Sequence, residues 1–109
     1  MIDHVAALAV SLVHQPVSVE QRISGEPTTG YEAVGSYADR ELGVWEMTPG
    51  AMSDVEADEL FIVLSGSATV DFPDEGVSIE LFPGFVGQLE AGSRTVWTVH
   101  ETLRKVCLG

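Results

Sequence analysis

Residues 49–66 read Pro-Gly-Ala-Met-Ser-Asp-Val-Glu-Ala-Asp-Glu-Leu-Phe-Ile-Val-Leu-Ser-Gly. Pro49-Gly50 signals a turn. An acidic loop follows, carrying Asp54, Glu56, Asp58 and Glu59. Leu60 to Leu64 is then an unbroken apolar run closed by Ser65-Gly66. The run is short, bounded by turn residues and rich in β-branched and aromatic types, which predicts a strand buried on both faces. Glu59 puts a carboxylate at the mouth of that strand.

Working outward, the same grammar repeats. Downstream, Ser67 to Phe72 alternates apolar and polar residues, Pro73-Asp74-Glu75-Gly76 is a hairpin loop, and Val77, Ile79 and Leu81 share one parity. Phe82-Pro83-Gly84 turns into a strand from Phe85 to Leu89, Glu90 to Ser93 turns again, and Thr95 to Val99 and Leu103 to Leu108 are the last two strands. Upstream lie Leu42 to Met47 with Trp45, Tyr31 to Tyr37 interrupted by Gly35, and Val17 to Ile23. About nine short strands with regular turn signals make an all-β sandwich or barrel, and the absence of strand–helix alternation excludes βαβ folds. Short antiparallel strands must have their edges closed or covered, which a jelly roll achieves with two curved sheets. Ile2, Val5, Ala6, Ala9, Leu12 and Val13 have helical spacing, with Asp3 as a cap and Pro16 as a stop. They predict a short N-terminal helix, or an arm that packs on the domain or on a second subunit. Residues 1–23 belong to the same domain as the barrel of residues 24–109.

A chain of 109 residues is one domain, and 45% hydrophobic residues suffice for a real core. Its 17 acids against 5 bases give a net charge of −12. That argues against nucleic acid, which needs clustered Lys and Arg, whereas here only Arg104-Lys105 are adjacent. No apolar run approaches a membrane span, and no basic segment precedes residues 5–13, so neither a transmembrane helix nor a signal peptide is expected and the location is read as cytoplasmic. The single cysteine, Cys107, excludes an intrachain disulfide and a thiolate zinc cluster, and reads as a small apolar residue in the last strand. His4 and His14 have no second ligand at i+4 and read as surface residues.

Two spacings carry a resemblance. Six residues separate Glu59 from Gly66; five separate Gly84 from Glu90, which is followed by Ala91, Gly92, two residues and Thr95. Together with Gly43-Val44-Trp45-Glu46-Met47-Thr48-Pro49-Gly50, Ala91 to Trp97 and Thr102 to Val106, they resemble the two motifs of the cupin superfamily. The likeness covers residues 43–108 and lies nearest the small single-domain group of ethanolamine-utilisation cupins and ureidoglycine aminohydrolase. The resemblance implies a double-stranded β-helix, a jelly-roll barrel. In metal-bearing members three His and a Glu hold one divalent ion inside it. Here the Glu position is Glu59, but the second-motif His position is Thr95. Counting back from Glu59, the first-motif His positions fall on Ser53 and Val55 or on Met52 and Asp54; counting forward from Gly50, they fall on Glu56 and Asp58. The three-His site is therefore missing, and no metal or cofactor is expected; the acids beside the turn read as a solvated rim.

The resemblance turns Glu59 into the barrel. Among Phe61, Trp45 and Trp97 its pKa would rise and it could serve as a general acid or base. Alternatively it bonds a barrel partner such as Thr95, or sits at the rim. Trp45, Met47, Phe61, Thr95 and Trp97 either line a ligand pocket or fill the core. If Thr95 points inward, Trp97 and Val99 share its face, and Arg94 and His100 face out. The expected function is a metal-independent module binding a small molecule or a protein, dimerising through the N-terminal arm or a barrel sheet, with no catalysis. The alternative is a hydrolase or isomerase acting on a small polar metabolite such as a ureido compound, with Glu59 as acid–base residue. An acidic accessory subunit that meets a basic protein is a third reading.

Overall fold

The computed structural model describes residues 4–109. Its strands are β1 (His14–Pro16), β2 (Arg22–Ser24), β3 (Thr28–Tyr37), β4 (Arg40–Met47), β5 (Gly50–Val55), β6 (Glu59–Phe72), β7 (Val77–Leu81), β8 (Val86–Leu89) and β9 (Arg94–Leu108). All pairings are antiparallel and join one curled sheet in the order β1-β3-β4-β9-β5-β2, with β6 on β9 and β7 and β8 on β6. This is the jelly-roll arrangement that the strand pattern and the resemblance imply.

The long β9 organises it. Residues 103–108 pair with β4, residues 94–99 with β5, and most of its length with β6. Its odd positions face inward on both halves: Thr95, Trp97, Val99, Leu103, Lys105 and Cys107 are all buried. They meet Met47 of β4, Met52 of β5 and Phe61, Val63, Ala68 and Val70 of β6, closing a core that also takes in Leu81, Leu89 and Val17.

Five expectations need correction. No helix forms over the described part of residues 2–13; only the 3-10 turn Ala7–Ala9 appears, and Ile2 and Asp3 lie outside the described residues. The segment is an arm, held by tertiary bonds that serve an extended chain as well as a helix. Val17 to Ile23 is not one strand, because Gln21 and Arg22 turn back onto the Ser18 carbonyl. Residues 50–55 are strand β5 rather than loop, since β9 offers them a full ladder; the acidic loop shrinks to residues 56–58. Ser65-Gly66 bends β6 without ending it, and residues 100–102 likewise stay within β9. Finally, Leu60 and Ile62 are exposed on the outer face, at 37% and 38%, while Phe61 and Val63 are buried, so the apolar run has one core face.

The arm is docked from outside. Arg104 donates to the carbonyls of Ala7 and Val10, at 2.9 and 2.8 Å, and through Nε to Glu46 at 2.9 Å. Glu46 also meets His14 Nε2 at 2.7 Å, and His14 Nδ1 meets Thr28 Oγ1 at 2.8 Å. His14 is thus half-buried and bonded rather than a plain surface residue. Burial works to raise the Glu46 pKa, but the bonds from Arg104 and His14 outweigh it and hold the carboxyl below its ordinary value. A depressed carboxyl stabilises the fold above its unfolded pKa, about 4.3, and that contribution is lost as pH falls through the folded value. Denaturant melts should therefore show wild type losing stability more steeply below about pH 4.3 than Glu46→Gln does.

Candidate ligand site inside the barrel

The site is built from one cross-strand row and its neighbours. Tyr31, Trp45, Lys105 and Val63 lie in register across β3, β4, β9 and β6. Beside them Met52 pairs with Trp97 and Asp54 with Thr95. Residues of this region line a pocket of about 100 Å³: Tyr31, Trp45, Met52, Asp54, Glu56, Glu59, Trp97, Lys105 and Cys107. Gly43 makes room for the Tyr31 ring: a Cβ there would collide with that ring, whose hydroxyl donates to Glu41 at 2.5 Å.

Lys105 stands at the centre. It is only 5% exposed, and its Nζ lies 2.6 Å from Glu59 Oε2. The same nitrogen sits over three rings, 4.8 Å from the centroids of Trp45 and Trp97 and 4.9 Å from that of Phe61. Burying an ammonium costs several kcal/mol, which a charge-assisted bond and cation–π contacts offset. Glu59 does face the barrel, then, with an ammonium as its partner.

Glu56 is the second anchor. It accepts from Thr95 Oγ1 at 2.6 Å and from Trp97 Nε1 at 3.0 Å, and the indole also donates to Thr95 Oγ1 at 3.1 Å. Its loop is braced by the β8–β9 turn: Glu56 exchanges backbone bonds with Ser93 and Gly92, and Asp58 accepts from the Ala91 amide. Asp54 completes the acidic wall. Burial first, and then the nearby charge of Glu56, raise its pKa. Cys107 carries no reactive thiolate: burial, with the Glu59 charge adding to it, pushes its pKa up to about 11, and its Sγ contacts the Gly43 carbonyl at 3.6 Å.

Of the residues singled out in the sequence, Glu59, Trp45 and Trp97 line the pocket. Phe61 supplies a ring face to Lys105 and also walls a separate apolar slot of about 110 Å³ with Val70, Phe72, Ile79 and Phe85. Thr95 is buried and bonded to Glu56, not to Glu59, and Met47 is fully buried in the core. Arg94 is exposed and paired with Asp74, and His100 is exposed. Lys105, Tyr31 and Cys107 were not anticipated as pocket residues, while Glu56, Asp54 and Met52 entered the sequence reading only as occupants of motif His positions, the two acids being read as a solvated rim. The parity of Leu103, Lys105 and Cys107 was the one available signal for the first of them.

The donor set does not fit a divalent ion. Among the described residues no group of three or more His, Cys, Asp or Glu is placed to hold a metal, and Glu59 is engaged by Lys105. What the arrangement offers is a compact acceptor-rich pocket with aromatic walls and one fixed ammonium.

The sequence model of the EutQ-like cupin domain family matches residues 35–106. Comparison with curated proteins gives no match. Among solved structures, a Pseudomonas syringae protein of unknown function aligns with a TM-score of 0.79 at 22% identity, over 94% of this chain and 45% of its own. The polyketide cyclase RemF of Streptomyces resistomycificus aligns at 0.67 and 23% identity, over 99% of this chain and 78% of its own. The EutQ protein of Clostridium difficile aligns at 0.63 and 16% identity, over 75% and 61%. At these identities the structural likeness speaks for the fold.

Proposed function

The chain belongs to the EutQ-like cupin domain family, and from that premise we propose that it is a metal-independent binding module for a compact ligand rich in N–H donors, such as an amine, amide or ureido compound. One observation carries the reading. Asp54, Glu56 and Glu59 line a single pocket in which Lys105 is the sole cation, and Lys105 is already committed to Glu59. The remaining acceptor capacity of Asp54 and Glu56 suits a ligand that donates hydrogen bonds, while the aromatic walls remove its flat faces from water. The Lys105 ammonium on Glu59 Oε2 makes that carboxylate a weaker proton acceptor, which is why binding is favoured over turnover.

Thermal-shift and calorimetric titrations with small ureas, primary amides, alkylamines and size-matched carboxylates test this. The donors should raise the melting temperature and the carboxylates should not. Asp54→Asn should weaken donor binding by about tenfold or more, because a bond to a charged acceptor is lost. The same variant should melt higher than wild type at neutral pH. A carboxyl whose pKa is raised on folding stabilises only below its unfolded pKa; that contribution fades as pH rises through the folded value, and above it the buried charge is a net cost. Equal binding of carboxylates, or unchanged donor affinity in Asp54→Asn, would overturn the assignment.

A further inference from the structure

We infer that the inner face of this barrel is a receptor for an alkylammonium group, filled in cis by the side chain of Lys105. Lys105 is the only lysine in the chain; the other bases are Arg22, Arg40, Arg94 and Arg104. A protein with 17 acids has ample surface partners for one ammonium, yet this one lies buried in the barrel. If only volume were needed, Met or Leu would fill the position without desolvating a charge. The surroundings instead match a cation: a carboxylate oxygen at 2.6 Å and three ring faces at 4.8–4.9 Å, two of them from indoles. Indole faces are the strongest cation–π partners among side chains.

The rings are held independently of the guest. Trp97 is fixed through Nε1 by Glu56 and Thr95, and packs on Trp45 and Phe61 at centroid distances of 5.6 and 6.0 Å. A cage braced in this way persists when its guest is cut off. Lys105 also explains why Glu59 needs no bound ion, since the chain brings its own positive charge to that carboxylate. The inference rests on the contacts of Lys105 and does not depend on which ligand occupies the adjoining pocket.

Lys105→Ala removes a fragment equivalent to n-propylammonium. Its melting temperature should fall well below that of wild type, and n-propylammonium chloride at ~50 mM should restore part of the loss. Affinity for n-propylammonium should exceed that for n-propanol by about tenfold or more, as expected for a charge-assisted over a neutral bond. Sodium chloride at matched ionic strength should not substitute, and the rise that n-propylammonium gives in the alanine variant should exceed the rise it gives in wild type. The native protein supplies a second readout that needs no variant. With selectively labelled lysine it gives one side-chain signal, and its ε-methylene protons, lying between ring faces, should be displaced upfield of the free-lysine position until the protein unfolds. Equal rescue by n-propanol overturns the inference, as does an ε-methylene signal at the free-lysine position in the folded protein. Should the alanine variant fail to fold, the lysine signal decides alone.

Discussion

Lys105→Met loses about 2–4 kcal/mol of unfolding free energy at neutral pH. The methionine fills most of the lysine's volume, so little of that loss is cavity. It comes from the Glu59 carboxylate, which loses its ammonium partner while remaining largely shielded from bulk water. Removing one partner of a buried ion pair typically costs about 3–5 kcal/mol, and the Glu59 side chain is 24% exposed, which places the value toward the lower side. Loss of the ring contacts acts in the same direction. Lys105→Met/Glu59→Gln should recover more than half of the deficit, because an apolar residue beside a neutral amide leaves no charge stranded. Urea melts of the single and double variants measure this. A single variant within about 0.5 kcal/mol of wild type would show that the pair contributes nothing.

Gly66→Ala is the second large effect and acts on the scaffold. Gly66 has φ +89°, where a side chain costs about 1–2 kcal/mol. A Cβ there would also overlap the Thr102 carbonyl and approach the Glu101 oxygen, and both obstacles are backbone. They belong to the irregular stretch where the register of β6 on β9 shifts between Val63 and Ala68. The two longest strands must move apart to accept a methyl group. A loss of about 3 kcal/mol or more follows, read as a lowered urea midpoint and reduced soluble yield. Gly35→Ala is the control: a Cβ there meets nothing within 4 Å, and stability should change by less than about 0.5 kcal/mol.

The same stretch shows what could be read in the sequence. Alternation placed Thr95, Trp97 and Val99 on one face, the resemblance turned that face inward, and all three are buried. Turn residues located the hairpin between β6 and β7. Ser65-Gly66 and the polar residues 100–102, however, look like strand ends. They are bends within continuous strands because β6 and β9 pair across both, and that pairing joins residues far apart in sequence. The site was legible in halves for a similar reason. Glu59 and the aromatic residues stood out. Lys105 did not, since a strand lysine ordinarily faces water, and the partner that makes its burial tolerable lies 46 residues away. Glu56 looked like part of a solvated acidic rim. Its role depends on donors from Thr95 and Trp97, 39 and 41 residues further on.

Assignment of the Glu59 carboxylate to Lys105 rather than to a metal ion is the centre of this reading. Elemental analysis tests it most directly, on protein purified without chelators and then dialysed against Mn, Fe, Ni and Zn salts. The expected result is far less than one ion per chain, unchanged by Glu59→Gln. One equivalent of divalent metal per chain, lost in Glu59→Gln, would contradict it.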